Sequence, residues 1–96
     1  MHSSDHVLAF RDTNPQAPTH ILVIPKEHVQ SLRELGDDHA DFLTEAFQVA
    51  RHLAEAEGID RTGWRVVANV GADAGQTVGH LHFHLLGGRR MRWPPG

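Results

Sequence analysis

The chain has 96 residues, no cysteine, and a formal net charge of −3 with histidine neutral. That length fits one domain, 1–96, with a thin core that oligomerisation would help. The lack of cysteine excludes disulfides and thiol catalysis and fits a reducing, cytoplasmic compartment. The negative charge argues against nucleic acid as a non-specific partner, and no apolar run is long enough to span a membrane or serve as a signal peptide.

Taken in chain order, residues 1–6 are polar and are expected to be disordered. Residues 7–10, Val-Leu-Ala-Phe, form a short apolar run of strand length. The two prolines in residues 13–18 exclude helix and mark a turn or loop. Residues 20–24, His-Ile-Leu-Val-Ile, are the clearest strand, β-branched and closed by Pro25. Residues 26–35 are ambiguous between a helical turn and an irregular apolar edge. From about residue 38 to residue 57 the pattern is helical. Leu43, Ala46, Phe47, Ala50, Leu53 and Ala54 make the apolar stripe, Asp37 or Asp38 is the candidate N-cap, and Gly58 is the candidate C′ residue. Residues 64–70 read as a further strand, 71–75 as a small-residue loop, and the next strand follows without an intervening helix, so the pair is antiparallel. Residues 87–96 form a basic, proline-rich C-terminal tail. The fold class is α+β: an antiparallel sheet of four to five strands with one long helix packed on it.

The informative stretch is Gln76-Thr77-Val78-Gly79-His80-Leu81-His82-Phe83-His84-Leu85-Leu86. Nine histidines is a high count for this length, and three of them alternate here with apolar residues. In a strand all three imidazoles share one face, while Leu81, Phe83 and Leu85 share the other. Each imidazole costs desolvation unless its nitrogens find partners, which argues for chemistry over packing. Cα atoms two apart in a strand are roughly 6–7 Å apart and four apart roughly 13 Å. Three rings from one extended strand therefore do not easily converge on one ion about 2.0 Å from each nitrogen. The spacing suits a row in which one imidazole reacts and its neighbours orient it. Gly75-Gln76-Thr77 ahead of it offers backbone N–H groups, an amide and a hydroxyl suited to a phosphoryl group or another oxyanion. A solvated histidine-rich strand and a metal-binding module are the alternatives.

His80-Leu81-His82-Phe83-His84-Leu85-Leu86 resembles the motif of the histidine triad (HIT) family, His-φ-His-φ-His-φ-φ with φ apolar. Phe10-Arg11-Asp12, Pro15-Gln16-Ala17-Pro18-Thr19-His20, Val23-Ile24-Pro25-Lys26, Asn69, Gly75-Gln76-Thr77, Gly87-Gly88-Arg89 and Trp93-Pro94-Pro95-Gly96 extend the likeness to its Hint branch, the purine nucleoside phosphoramidases. The resemblance implies a HIT-like fold and cleavage of the P–N bond of purine nucleoside 5′-phosphoramidates. In that reading His82 attacks the α-phosphorus and forms a nucleotidyl-histidine, and His84 contacts the phosphate or departing group. His80 holds His82 mainly through its backbone carbonyl, and His20 belongs to the same relay. Thr77 stands where the branch usually has serine and contacts phosphate and leaving group. Asp12 accepts from the ribose hydroxyls and Asn69 bonds near the phosphate. Gly75 and Gln76 complete the phosphate loop, Phe10 and Leu22 line the base pocket, and Trp93 lies at the site rim or in a dimer contact. The resemblance further implies a homodimer, a purine nucleotide or nucleoside phosphoramidate as ligand, and no metal or cofactor. It also leads to the expectation that the segment usually found ahead of Val7, which closes over the base, is lacking. Arg92 stands where the tail usually has histidine. The competing function is a nucleotide-binding regulatory or scaffold protein with little turnover.

Overall fold

The computed structural model describes residues 1–96. Five strands make one antiparallel sheet in the order β1-β2-β3-β5-β4: β1 (His2–Ser3), β2 (Val7–Arg11), β3 (Thr19–Pro25), β4 (Trp64–Ala68) and β5 (Phe83–Gly87). One helix, α1 (Ala40–Ala56), covers one face of it. The α+β class and the antiparallel β4–β5 pair are as the sequence indicates. β5 lies between β3 and β4, with Val23 and Ala68 both opposite Phe83 and Leu22 and Val67 both opposite His84.

Cross-strand partners point to the same side of a sheet, which sorts the residues into two faces. Val7, Ala9, Ile21, Val23, Phe83 and Leu85 meet Phe42, Ala46 and Val49 of α1 in the buried core. Leu85 is fully buried, and removing a side chain of that size from water is worth about 1.5–3 kcal/mol. The opposite face carries Phe10, Leu22, Ile24, His20 and His84 and has no helix over it.

Four local expectations change. Residues 1–6 are ordered: β1 pairs with β2, and Glu45 of α1 accepts from the Ser4 hydroxyl at 2.6 Å and the His6 N–H at 2.8 Å. Both bonds favour the carboxylate and hold the Glu45 pKa below its ordinary value. The helix begins at Ala40 after a 3₁₀ turn (Asp37–His39), and neither Asp37 nor Asp38 caps it. Its buried stripe is Phe42, Ala46, Val49, Ala50 and Ala54, and Phe47 is 49% exposed. Finally, the ladder of the histidine strand starts only at Phe83, so residues 69–82 form the connection from β4. Gly58, by contrast, ends α1 as expected. At φ +74° it sits in a Schellman closure, with the Ile59 N–H donating to the Ala54 carbonyl and its own N–H to that of Glu55.

Candidate active site

Only His84 of the three triad histidines lies within the sheet ladder. The alternation nevertheless continues back through residue 80: Leu81, Phe83 and Leu85 are buried, and His80, His82 and His84 are half-buried on the open face. A loop, not a strand, holds this entry segment. The Leu81 N–H donates to the Val29 carbonyl at 2.6 Å, and the His80 ring donates through Nε2 to the Pro25 carbonyl at 3.2 Å. The His28 ring packs edge-on against His80 with centroids 5.2 Å apart. His28 reads from sequence as an ordinary surface residue, and no local signal marks this contact.

Two hydrogen-bond chains fix the protons. A backbone N–H can only donate, and that of Gln16 reaches His20 Nδ1 at 3.0 Å. His20 Nδ1 is therefore an acceptor, and the proton of the neutral ring sits on Nε2. That proton is donated to His84 Nδ1, 2.8 Å away. His84 in turn carries its proton on Nε2 and presents it as a donor on the open face. In the second chain, His82 Nδ1 lies 2.8 Å from the His80 carbonyl oxygen, which can only accept. His82 Nε2 is thereby left with a lone pair, beside His84 with ring centroids 4.9 Å apart. Burial, followed by the neighbouring His82 and His20, pushes the His84 pKa below 6.5, while Asp12 pulls the other way. A second proton on His84 would also need His20 Nε2 as acceptor, which the Gln16 bond does not permit.

Asp12 lies one step past the Arg11–Ile21 pair, with one oxygen accepting from the Asn14 N–H at 2.8 Å and the other 3.5 Å from His20 Nε2. Asn69 follows directly on β4, one step past the Ala68–Phe83 pair and level with His82. Phe10, Leu22 and Ile24 join Val78, His80 and His82 around a shallow apolar groove of about 150 Å³, with Phe10 43% exposed. Thr77 is exposed at the mouth of residues 76–80, and its hydroxyl and N–H have no partner within the chain.

The expectation of free backbone donors at Gly75 and Gln76 is corrected. The Gly75 N–H is bonded to the Ala72 carbonyl and that of Gln76 to the Gly71 carbonyl, because the segment is wound into a tight turn with Gly75 at φ +79°. The Gln76 side chain spans the loop, accepting from the Gly71 N–H and donating to the carbonyls of Gln30 and Val78. Both residues shape the loop, and Thr77 is the open donor. Trp93 lies apart from the apolar groove, 81% exposed, with the Arg65 guanidinium 6.0 Å from its ring centroid.

Asp12, His20 and His84 are also the one group whose ligand atoms cluster closely enough to suggest an ion. Two nitrogens on one tetrahedral zinc, each 2.0–2.1 Å from it, stand about 3.3 Å apart. The His20–His84 nitrogens are 2.8 Å apart, the length of a hydrogen bond, and His20 Nδ1 is already occupied. In this arrangement the two rings are hydrogen-bonded to each other, and an ion at this group would have to displace that bond.

A small antiparallel sheet with one helix presents, on its open face, an imidazole nitrogen without a partner in the chain between a hydrogen-bonded histidine pair and an apolar groove. Residues 1–91 match the HIT domain family, and the chain belongs to that family. It is 48% identical over 98 residues to a 14 kDa zinc-binding protein of Zea mays, covering 100% of this chain and 76% of that one. Its fold superposes on a HIT family hydrolase from Legionella pneumophila with a TM-score of 0.96 at 48% identity, covering 100% of this chain and 86% of the other. A histidine triad nucleotide-binding protein from Candida albicans aligns with a TM-score of 0.81 at 30% identity, covering 100% and 73%. Of these three relatives one is named a zinc-binding protein, one a hydrolase and one a nucleotide-binding protein.

Proposed function

We propose that this chain is a nucleotide-binding hydrolase that cleaves the P–N bond of purine nucleoside 5′-phosphoramidates. The observation that carries this reading is the fixed protonation of the two adjacent rings: His82 Nε2 bare, His84 Nε2 protonated. In the first step the His82 Nε2 lone pair forms a bond to phosphorus as the bond to the leaving nitrogen breaks. The positive charge that develops on His82 is stabilised through Nδ1–H by the His80 carbonyl. His84, held neutral, donates from Nε2 to a phosphoryl oxygen or the leaving nitrogen. In the second step the N–P bond breaks as water bonds to phosphorus. The amine departs in the first step with a proton taken up from solvent; in the second step the water leaves its hydroxyl on the nucleoside monophosphate, returns one proton to solvent and regenerates His82. The purine lies over Phe10, Leu22 and Ile24, with the ribose toward Asp12 and the phosphate between Asn69 and Thr77. Turnover of adenosine 5′-phosphoramidate is expected for the wild type and its loss for His82→Ala, with AMP binding retained. Equal rates for the two proteins would remove His82 from the mechanism.

A homodimer is part of the same reading. β4 is an edge strand with its outer side unpaired, and Phe47 is exposed beside Val66 of β4 and Ala46 and Ala50 of α1. A second copy on this edge would cover both the unpaired strand and the apolar side chains. Light scattering should then give twice the chain mass; a monomer at high micromolar concentration would refute it.

A further inference from the structure

The C-terminal tail brings four arginines together on the open face of the sheet. Arg65, Arg89, Arg90 and Arg92 line a groove of about 400 Å³ whose floor is Val67 and Leu86. Val67 is the cross-strand partner of His84, and Leu86 stands between His20 on β3 and Arg65 on β4. The groove therefore adjoins His84 on its β4 side, while the apolar groove of Phe10, Leu22 and Ile24 adjoins the triad on its β3 side.

Arginines scattered on a surface are ordinarily solvated, but these are gathered and in part fixed. The Arg65 guanidinium donates twice to the Arg92 carbonyl at 3.2 Å, and the Arg89 Nε–H donates to the Gln16 carbonyl at 2.9 Å. None of the four takes part in an ion pair, Asp73 is the last acidic side chain of the sequence, and Gly96 also lines the groove. Four of the nine lysines and arginines of a net-negative chain thus share one groove without a carboxylate partner. Guanidinium groups offer several donors in a fixed fork and are suited to carboxylate and phosphate.

We propose that this groove binds an anionic group on the leaving-group side of the phosphorus. The inference rests on the hydrolase reading above and deepens it. With the nucleoside on the β3 side and phosphorus at His82 and His84, whatever extends past phosphorus toward β4 meets Arg90 and Arg92. The favoured substrates are those whose departing portion carries a carboxylate or a phosphate. Arg65 and Arg89 position the tail, and Arg90 and Arg92, whose side chains are otherwise unpaired, make the contact.

The test compares adenosine 5′-phosphoramidates whose leaving amine bears a carboxylate or the matching carboxamide, using the full chain and the double variant Arg90→Gln/Arg92→Gln. The wild type should prefer the carboxylate by about tenfold in kcat/KM, the equivalent of about 1.4 kcal/mol. The double variant should lose that preference and hydrolyse the carboxamide at the wild-type rate. A second arm needs no turnover: calorimetry with AMP and ADP, where the second phosphate takes the leaving-group position. ADP should bind about tenfold more tightly than AMP, less so at high salt, and the advantage should vanish in the double variant. A preference on either arm that disappears with the arginines supports the proposal, and the two arms distinguish carboxylate from phosphate. No preference on either arm, or one that survives the substitution, overturns it. Turnover of the carboxamide without any preference would overturn the anion groove alone, whereas no phosphoramidate turnover would defeat the hydrolase reading and leave the calorimetric arm to decide the groove.

Discussion

His20→Phe tests the proton assignment directly. An aromatic ring is kept, somewhat larger than imidazole, but both nitrogens are lost. Two groups then lose their partners at a position only 5% exposed: the Gln16 N–H, 3.0 Å from Nδ1, and His84 Nδ1, 2.8 Å from Nε2. A buried donor left unpaired costs about 1–3 kcal/mol; Gln16 is itself exposed, so the loss of stability should lie at or below the low end of that range. The effect on activity has a separate origin. Without His20, His84 is free to carry its proton on Nδ1, and the donor on the open face becomes an acceptor. Removing one preorganised donor from a developing oxyanion costs on the order of 10²–10³ in rate, and since His84 still populates the productive tautomer part of the time, a fall of about 10–100-fold in kcat is expected. KM should change little, because Phe10, Leu22 and Ile24 remain in place. The assay is steady-state hydrolysis of adenosine 5′-phosphoramidate beside a urea melt. Nitrogen-15 spectra of the imidazoles read the tautomers themselves. Wild-type His20 should be bare at Nδ1 and protonated at Nε2, His84 likewise, and His82 protonated at Nδ1. A proton on His20 Nδ1 would refute the reasoning whatever the kinetics show.

Two further outcomes follow from packing and titration. Leu85→Ala should cost about 2–5 kcal/mol, since Leu85 is fully buried at the centre of β5 between sheet and helix; a loss under about 1 kcal/mol in a denaturant titration would mean that the core collapses around the void. Because His84 titrates below 6.5 in the folded chain, the unfolded chain takes up its proton first as pH falls. The stability contributed by His84 is complete above 6.5 and is lost as pH drops through that value to the lowered folded pKa. Urea midpoints measured downward from about pH 8 should therefore decline in this window, and His84→Gln should flatten the decline. A wild-type midpoint that rises as the solution is acidified, or a slope unchanged in the variant, would contradict this.

Pattern alone makes β2, β3, β4 and the body of α1 legible, because each is a run of strand or helical length bounded by turn residues. It fails where two patterns compete or where the partner is distant in sequence. Leu43, Phe47 and Leu53 and the alternative pair Phe42 and Val49 both satisfy helical spacing around Ala46, Ala50 and Ala54. Which one faces the sheet is decided by Phe83 and Leu85, whose position follows only from the sheet order. β1 carries no apolar signal and is held by Glu45, about forty residues downstream. His39 reads as a surface residue but accepts the Gly36 N–H at 3.1 Å and is mostly covered. The role of Gln16 is invisible for a similar reason: its contribution is a backbone N–H, and any residue type could supply it.

The most consequential departure from the pattern lies in the triad itself. Alternation from His80 to Leu86 reads as one strand, yet the ladder begins at Phe83. Within an antiparallel ladder, carbonyl groups are committed to neighbouring strands. Had the ladder reached back to residue 80, the His80 carbonyl would compete with a neighbouring strand for its partner. Because pairing stops at Phe83, that carbonyl is free to accept from His82 Nδ1 at 2.8 Å. The segment keeps its extended shape by other means, through Leu81 N–H to Val29 and the His80 ring to Pro25. The extended backbone puts the histidines on one face; the early end of the ladder leaves the one acceptor that turns His82 Nε2 into a lone pair. His84 takes its orientation from His20 on the next strand instead. Adjacent histidines on one face thus acquire opposite proton placements, one with Nε2 bare and the other with Nε2 protonated.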